Sequence, residues 1–431
     1  MKSKKAKVVV SVITAVIAAC GVFFAGFFVG RIKDPDLAAL EFILKTYKDH
    51  YYEVDDNCVE IMAQSILDRY SEYYTAEEYE QMKKVSEGVR GGIGVSFTQT
   101  DNKVFVYSVL GNSPAERAGV KVGGVVTGAK REGEDYLVAD NRDTLGAYIS
   151  AAALGEKFEL TIDYDGTEKT FTLSREEYRE TYVYYADSTG NYRYGDQSGE
   201  MKLDKYAEDE VGYPQDTAYI KYVSFNGNGK GLYSSAKQLG NALEKFKSGN
   251  KKKLILDLRG NGGGYMDICE DVAAYFVGAK NSTRPLISTA VYNGGKTEKF
   301  NSSSVKYGDY GYESIIVLAN DGTASASEVL IGAMLDTDQK GIVKIVLERN
   351  EKGVYRTYGK GIMQTTYPNL LGKDAIKLTT AKLYWNSGVS IHGVGVTKNG
   401  ETTAAYRNKI YEATYEQNCD YALKFSLNLL L

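Results

Sequence analysis

The chain has 431 residues, 43% hydrophobic and 25% charged, a balance that excludes a disordered or fibrous protein and allows two or three domains. The formal net charge is −4, and removing the six basic residues among positions 1–33 leaves 46 basic against 56 acidic side chains, near −10, so no nucleic-acid partner is expected. Beyond Cys20, the three cysteines Cys58, Cys269 and Cys419 are odd in number and widely spaced, and no HExxH, CxxC or histidine cluster occurs; neither a disulfide framework, a metal nor a cofactor is expected.

Lys2, Lys4, Lys5 and Lys7 precede an apolar run over residues 8–29 whose only polar members are Ser11 and Thr14. That run is long enough to span a bilayer, and the lysines orient its start to the cytoplasm. The prediction for residues 1–33 is an uncleaved single-pass anchor with the rest of the chain on the extracytoplasmic side. A cleaved signal peptide, or a lipid on Cys20 within "IAAC", is the alternative.

Residues 34–87 carry apolar positions at helical spacing and predict a helical segment. From residue 88 to 175 short alternating strands with glycine turns predict a small β-rich domain. Residues 176–215, rich in Tyr and Gly, predict a connecting hairpin, with strand addition to a neighbour as the other reading. Over residues 216–405 strands alternate with helices, which predicts an α/β core built on a mainly parallel sheet flanked by helices. Residues 406–431 end in an amphipathic helix with enough apolar surface to expect a partner on it.

In such a sheet ligands bind at the carboxyl ends of strands, so two strand-to-helix turns stand out. One is "NDGTASASEVLIGAML", residues 320–335. Its "SASE" fits a capping box, in which Ser325 only caps a helix and Glu328 reaches back. The same place suits a nucleophile, with the hydroxyl at the positive end of a helix and the Ala326 amide placed to stabilise an oxyanion. The histidines are His50, in the helical segment, and His392, so a lysine is the other source of a base. An ordinary lysine is about 1 in 2,500 uncharged at neutral pH, which demands a buried site without carboxylate partners.

"YGKGIMQTTY" offers Lys360 between two glycines, with no acidic residue from position 352 to 372. In a strand, Lys360 and Gln364 would project from one face; a surface lysine in a turn is the plain reading. The other turn, "DLRGNGGGYMD", holds Gly262, Gly263 and Gly264 before a helix. It reads as an oxyanion hole through the Gly263 amide, a phosphate nest, or a tight turn with Arg259 and Asp257 as structural partners. In the β-rich domain, "VRGGIGVSF" could present the amides of Gly92, Ile93 and Gly94 to a peptide's terminal carboxylate while a strand from Val95 pairs with its backbone, or be a bare glycine turn.

In co-linear order, "SILDRYSEYYTAEEYEQM", "GGIGVSF", "VYSVLGNSPAERAGVKVGG", "DLRGNGGG", "NDGTASASEVLIGAML", "YGKGIMQ" and "GVSIHGVGV" resemble the carboxyl-terminal processing peptidases, or tail-specific serine proteases, over about residues 37–405. The resemblance implies a PDZ domain over residues 88–175 and a ClpP/crotonase-like serine protease core. It implies Ser325 as nucleophile, Lys360 as general base, Gln364 as its orienting partner and the amides of Gly263 and Ala326 as oxyanion donors. It further implies protein substrates held by exposed C-termini at Gly92, Ile93, Gly94 and Val95, no cofactor, and a homodimer through terminal helices. The other reading is a non-catalytic PDZ adaptor on a protease-like core. Four departures stand out: a long segment between Ser325 and Lys360, Gly124 where the family's PDZ domains carry Asp, "GVTKNG" without the usual Pro-Asp, and a long stretch over residues 181–215.

Overall fold

The computed structural model describes residues 35–51, 57–194, 200–203, 212–227, 234–278, 284–306, 310–350, 352–414 and 420–431, with 200–203 by backbone alone. The expected membrane anchor and Cys20 lie outside the described residues. Among the described residues no helix is long and apolar enough to cross a membrane. The chain forms two compact units that divide after Ile66.

The first unit contains the helices Pro35–His50 and Cys58–Ile66. Proline opens the first of these, with Asp36 in its first turn and Lys48 and His50 in its last, each placed to suit the helix dipole. Leu37, Phe42, Ile43, Ile61 and Ile66 are exposed.

The second unit is built around an eight-stranded sheet in the order Glu200–Leu203, Gly190–Tyr194, Val183–Asp187, Thr217–Tyr222, Lys253–Asp257, Ser314–Ala319, Val343–Glu348, Ile410–Ala413. The last five strands run parallel and the first three antiparallel. Alternation along the parallel strands supplies two apolar faces. Leu254, Leu256, Ile315 and Val317 pack under the helices Ser235–Ser248, Met266–Ala273 and Ala326–Thr337, while Ile255, Ile316, Leu318 and Val346 face the helix Tyr421–Leu430.

Three sequence expectations change here. The sheet is mixed rather than mainly parallel, because the tyrosine-rich stretch after residue 176 is strand addition and not a free connecting hairpin. The N-terminal helical segment also contains a strand, Glu72–Tyr74. It joins a second, antiparallel sheet with Leu286–Tyr292, Thr297–Asn301, Ile362–Pro368 and Ala375–Tyr384. And much of the apolar face of the C-terminal helix packs on this chain's own sheet, where Ala422, Leu423 and Leu430 are buried.

The β-rich domain has its own antiparallel sheet and core, with Val104, Leu145, Phe158, Leu160 and Ile162 buried. Among the described residues its strand Val95–Thr100 pairs on one side only, with Lys103–Val109. A Cβ at Gly124 would meet Ile162 Cγ2 at 2.4 Å and the Tyr164 ring at 2.5 Å, so Tyr164 fills the space an aspartate would need. The hairpin Val183–Tyr194 fastens this domain to the core: the Gly111 N–H donates to Tyr184 Oη at 3.0 Å, and Arg193 pairs with Glu116 at 2.7 Å.

Candidate active site

Strands Lys253–Asp257 and Ser314–Ala319 are parallel neighbours, so the turns at their carboxyl ends lie side by side. Asn320 Oδ1 accepts from the Gly322 and Gly260 amides at 3.0 Å each, folding the second turn and binding it to the first. Only hydrogen fits at that junction, since a Cβ at Gly322 would lie 2.9 Å from Gly260 Cα. Ser325 follows with φ 57° and ψ −119°, a conformation that costs a non-glycine residue about 1–3 kcal/mol and recurs where a nucleophile is held out on a sharp strand-to-helix turn. The helix Ala326–Thr337 starts directly after it, which leaves the Ala326 amide without a partner in its own helix.

The first turn touches this point. A Cβ on Gly263, whose φ is 96°, would meet Ala324 O at 2.7 Å and both Ala326 N and Ser325 Cβ at 2.8 Å. Phe225 N–H holds the Gly263 carbonyl at 2.9 Å, and the Gly263 N–H donates to Asn261 Oδ1 at 3.0 Å. Fully buried Asn261 also accepts, through its carbonyl, from Ala324 N–H and Ser327 Oγ at 3.0 Å each. It is therefore the pin between the two turns, a role that "RGNGGG" did not disclose. Arg259 bonds Asp257, Glu348 and Asp420 around the cap of the C-terminal helix, so Arg259 and Asp257 are structural partners. Gly263→Ala should lower kcat/KM by about a hundredfold, the scale of a 1 Å displacement at a reacting group, with little change in KM in a peptide assay.

Glu328 does more than the capping box predicts. Its side chain is fully buried, and its Oε2 accepts from both the Ser325 N–H and the Lys360 N–H at 2.9 Å. The other oxygen accepts from the Gly359 N–H at 2.8 Å and from Thr357 Oγ1. One carboxylate thus ties the serine turn to the lysine segment. Burial pushes the Glu328 carboxyl above its ordinary value, and its hydrogen bonds pull the other way.

Lys360 lies in a loop, not in a strand; the strand begins at Ile362 and carries a bulge between Met363 and Gln364, so simple alternation does not relate Lys360 to Gln364. Gln364 Nε2 donates to Thr379 Oγ1 at 3.2 Å. Glycines flank Lys360 because the chain runs against another backbone there: Cβ atoms at Gly359 and Gly361 would meet Gly395 N and His392 N at 2.8 Å. In the long stretch before Lys360, the Asn350 N–H donates to Val354 O at 3.0 Å and a bridge joins Arg349 and Tyr355.

Burial holds the Lys360 amine below the ordinary lysine value, and the Lys377 charge acts the same way. The site is not free of carboxylates, as Asp68 and Glu328 oppose this shift, but neither is hydrogen-bonded to the amine. Glu328 has both oxygens committed to four other donors. Exposed His392 lines a cavity of about 720 Å³ with Asp68, Tyr70, Tyr292, Ile362 and Thr379. His50 belongs to the first unit. In the β-rich domain, Gly92 ends the strand Val89–Gly92, where it pairs with Glu176, and Ile93 and Gly94 form the turn into the edge strand at Val95. Among the described residues neither the Ile93 nor the Gly94 N–H donates a hydrogen bond.

Residues 216–402 match the family model of peptidase family S41, and residues 91–174 that of a PDZ domain. The S41 match covers the protease core, residues 216–402. Among its relatives is a probable CtpA-like serine protease of Staphylococcus aureus strain N315, 28% identical over 405 residues that cover 90% of this chain and 69% of the relative. Another of that name, from Staphylococcus haemolyticus strain JCSC1435, is 26% identical over 377 residues, 85% of this chain and 65% of that one. The fold is shared with a putative S41 protease of Bacteroides fragilis, with TM-score 0.52, 15% identity, and 88% and 92% of the two chains covered. This chain is a serine-type peptidase with a PDZ domain. The S41 match starts at residue 216, so it leaves out Asp68, Tyr70 and Ser71, which the fold nonetheless brings to the lysine segment.

Proposed function

We propose that this peptidase cleaves protein substrates outside the cytoplasm after capturing their exposed C-termini in the PDZ domain. Ser325 attacks the scissile carbonyl while the uncharged Lys360 amine takes its proton, and water then hydrolyses the acyl-enzyme. The Ala326 amide, together with the Gly263 amide shared with Asn261, receives the negative charge on the carbonyl oxygen. Gln364 is the proposed orienting partner of the amine through its carbonyl oxygen, its Nε2 being engaged by Thr379 Oγ1. No cofactor takes part.

The observation that carries the reading is the single Glu328 oxygen bonded to both the Ser325 and Lys360 amides, at a serine whose backbone is strained. A chain that had kept the fold merely as an adaptor would have no use for that strain. In the PDZ domain, the open edge of Val95–Thr100 and the amides of residues 92–94 suit β-augmentation ending in a carboxylate. The apolar run at residues 8–29 is the proposed membrane anchor. A second copy is proposed to pair through the terminal helices, where Leu37, Phe42, Ile43 and Ile61 are exposed.

Cleavage of a peptide with a free C-terminus, compared with the same peptide amidated, tests the function. Amidation is expected to weaken binding by about 1.5–3 kcal/mol, the worth of a charge-assisted hydrogen bond, read as a rise in KM of tenfold or more. Equal KM for both peptides would remove the carboxylate from the recognition scheme, and no cleavage of either by the wild type would leave the adaptor reading.

A further inference from the structure

The segment Leu67–Tyr74, ahead of the PDZ domain, is fixed along the antiparallel sheet beside the lysine loop. Glu72, Tyr73 and Tyr74 pair with Lys377, Ile376 and Ala375. Ser71 Oγ accepts from the Thr379 N–H at 2.9 Å, and Asp68 Oδ1 from the Tyr70 N–H at 3.1 Å. This brings the Tyr70 ring over the Lys360 amine, with Nζ 5.2 Å from the ring centroid. The ring is itself held, since Arg69 Nη2 donates to the Tyr70 hydroxyl at 2.5 Å.

We propose that Tyr70 is a positioning residue for the base: its ring closes the solvent side of the Lys360 amine and confines that amine to the turn carrying Ser325. The inference rests on the reading of Lys360 as the base. Two effects of the ring oppose each other. Its π face attracts an ammonium by about 0.5–1 kcal/mol at a partly exposed site, which favours the charged form. Its exclusion of water favours the neutral form, and burial of a lysine can outweigh that attraction several-fold. The groups facing the amine, besides the Tyr70 ring, are Lys377 from the neighbouring strand, Asp68 from the same segment as Tyr70 and Glu328 from the helix after Ser325. His392 packs by its backbone against Gly361. Burial is the largest of the influences on Lys360, so exclusion of water decides the sign.

The test is the pH dependence of kcat/KM for the full chain carrying Tyr70→Phe or Tyr70→Ala, beside the wild type and Lys360→Ala. Tyr70→Phe keeps the ring and should hold the wild-type ionisation. Tyr70→Ala admits water, so its rising limb should move toward the ordinary lysine value by about one pH unit, with about tenfold lower kcat/KM near neutrality, the loss in kcat, and convergence with wild type at high pH. Tyr70→Gln, which keeps bulk but admits water, should show the same shift if the alanine variant does not fold. A water-admitting variant whose curve coincides with wild type, or falls by one factor at every pH, overturns the proposal. An inactive Lys360→Ala with no shift in the Tyr70 variants sinks only the Tyr70 role, whereas an active Lys360→Ala sinks the base reading beneath it.

Discussion

Ser325→Ala should lower kcat/KM by at least about 10⁴-fold and leave the fold intact, because a nucleophile's removal leaves only the rate enhancement from binding and the oxyanion donors. Alanine meets the same backbone strain at φ 57° as serine does, so the substitution adds no conformational cost. The Ser325 N–H bond to Glu328 also survives, since it is a backbone contact. The variant is therefore expected to melt within a few degrees of wild type and still bind a free C-terminus through its PDZ domain. Wild-type turnover by Ser325→Ala would end the assignment.

Glu328→Ala is the second large effect, and it should damage both activity and stability. Four donors end on this carboxylate: the Ser325, Gly359 and Lys360 amides and the Thr357 hydroxyl. Each buried donor left without an acceptor costs about 1–3 kcal/mol, and relaxation would recover part of that. A net loss of about 3 kcal/mol is expected in denaturant unfolding. The Ser325 turn and the Lys360 loop also lose their common anchor, so kcat/KM should fall by at least about a hundredfold, with kcat carrying most of it. Glu328→Gln, which keeps the volume but turns one acceptor into a donor, should lie between the alanine variant and wild type. A Glu328→Ala protein of wild-type stability and rate would show that the shared carboxylate anchors neither turn.

How legible the fold was depended on where the deciding contacts lie in the chain. The βα alternation after residue 216 announced the parallel strands, because burial on both faces writes continuous apolar runs such as "KKLILDL". The tyrosine-rich stretch did not announce itself as three further strands of the same sheet. Tyrosine suits a strand and a half-exposed turn equally, and pairing partners such as Tyr185 with Ile220 are far apart in sequence. The C-terminal helix was read as amphipathic, but sequence periodicity does not say whose surface covers an apolar face; here it is the chain's own sheet.

The site divides the same way. "SASE" gave both the helix start and the Glu328 reach to Ser325, since both lie within one turn. The same carboxylate's bonds to Gly359 and Lys360 span some thirty residues of intervening chain and leave no local mark. Asn261 and Tyr70 were missed for that reason too, each acting across elements joined only by the fold. The positional reading of Lys360 with Gln364 assumed a regular strand, which the loop at Lys360 and the bulge at Gln364 interrupt.

The central claim is that an amine left uncharged by its surroundings activates Ser325, and the pH profile of kcat/KM on a peptide with a free C-terminus tests it most directly. Burial and the Lys377 charge lower the Lys360 value, so activity should rise with pH through one ionisation and level off below the ordinary lysine value near 10.5. Lys360→Ala should be inactive across the whole range while still folded. If that variant instead keeps the wild-type limb and rate, the proton from Ser325 goes elsewhere and the account is wrong.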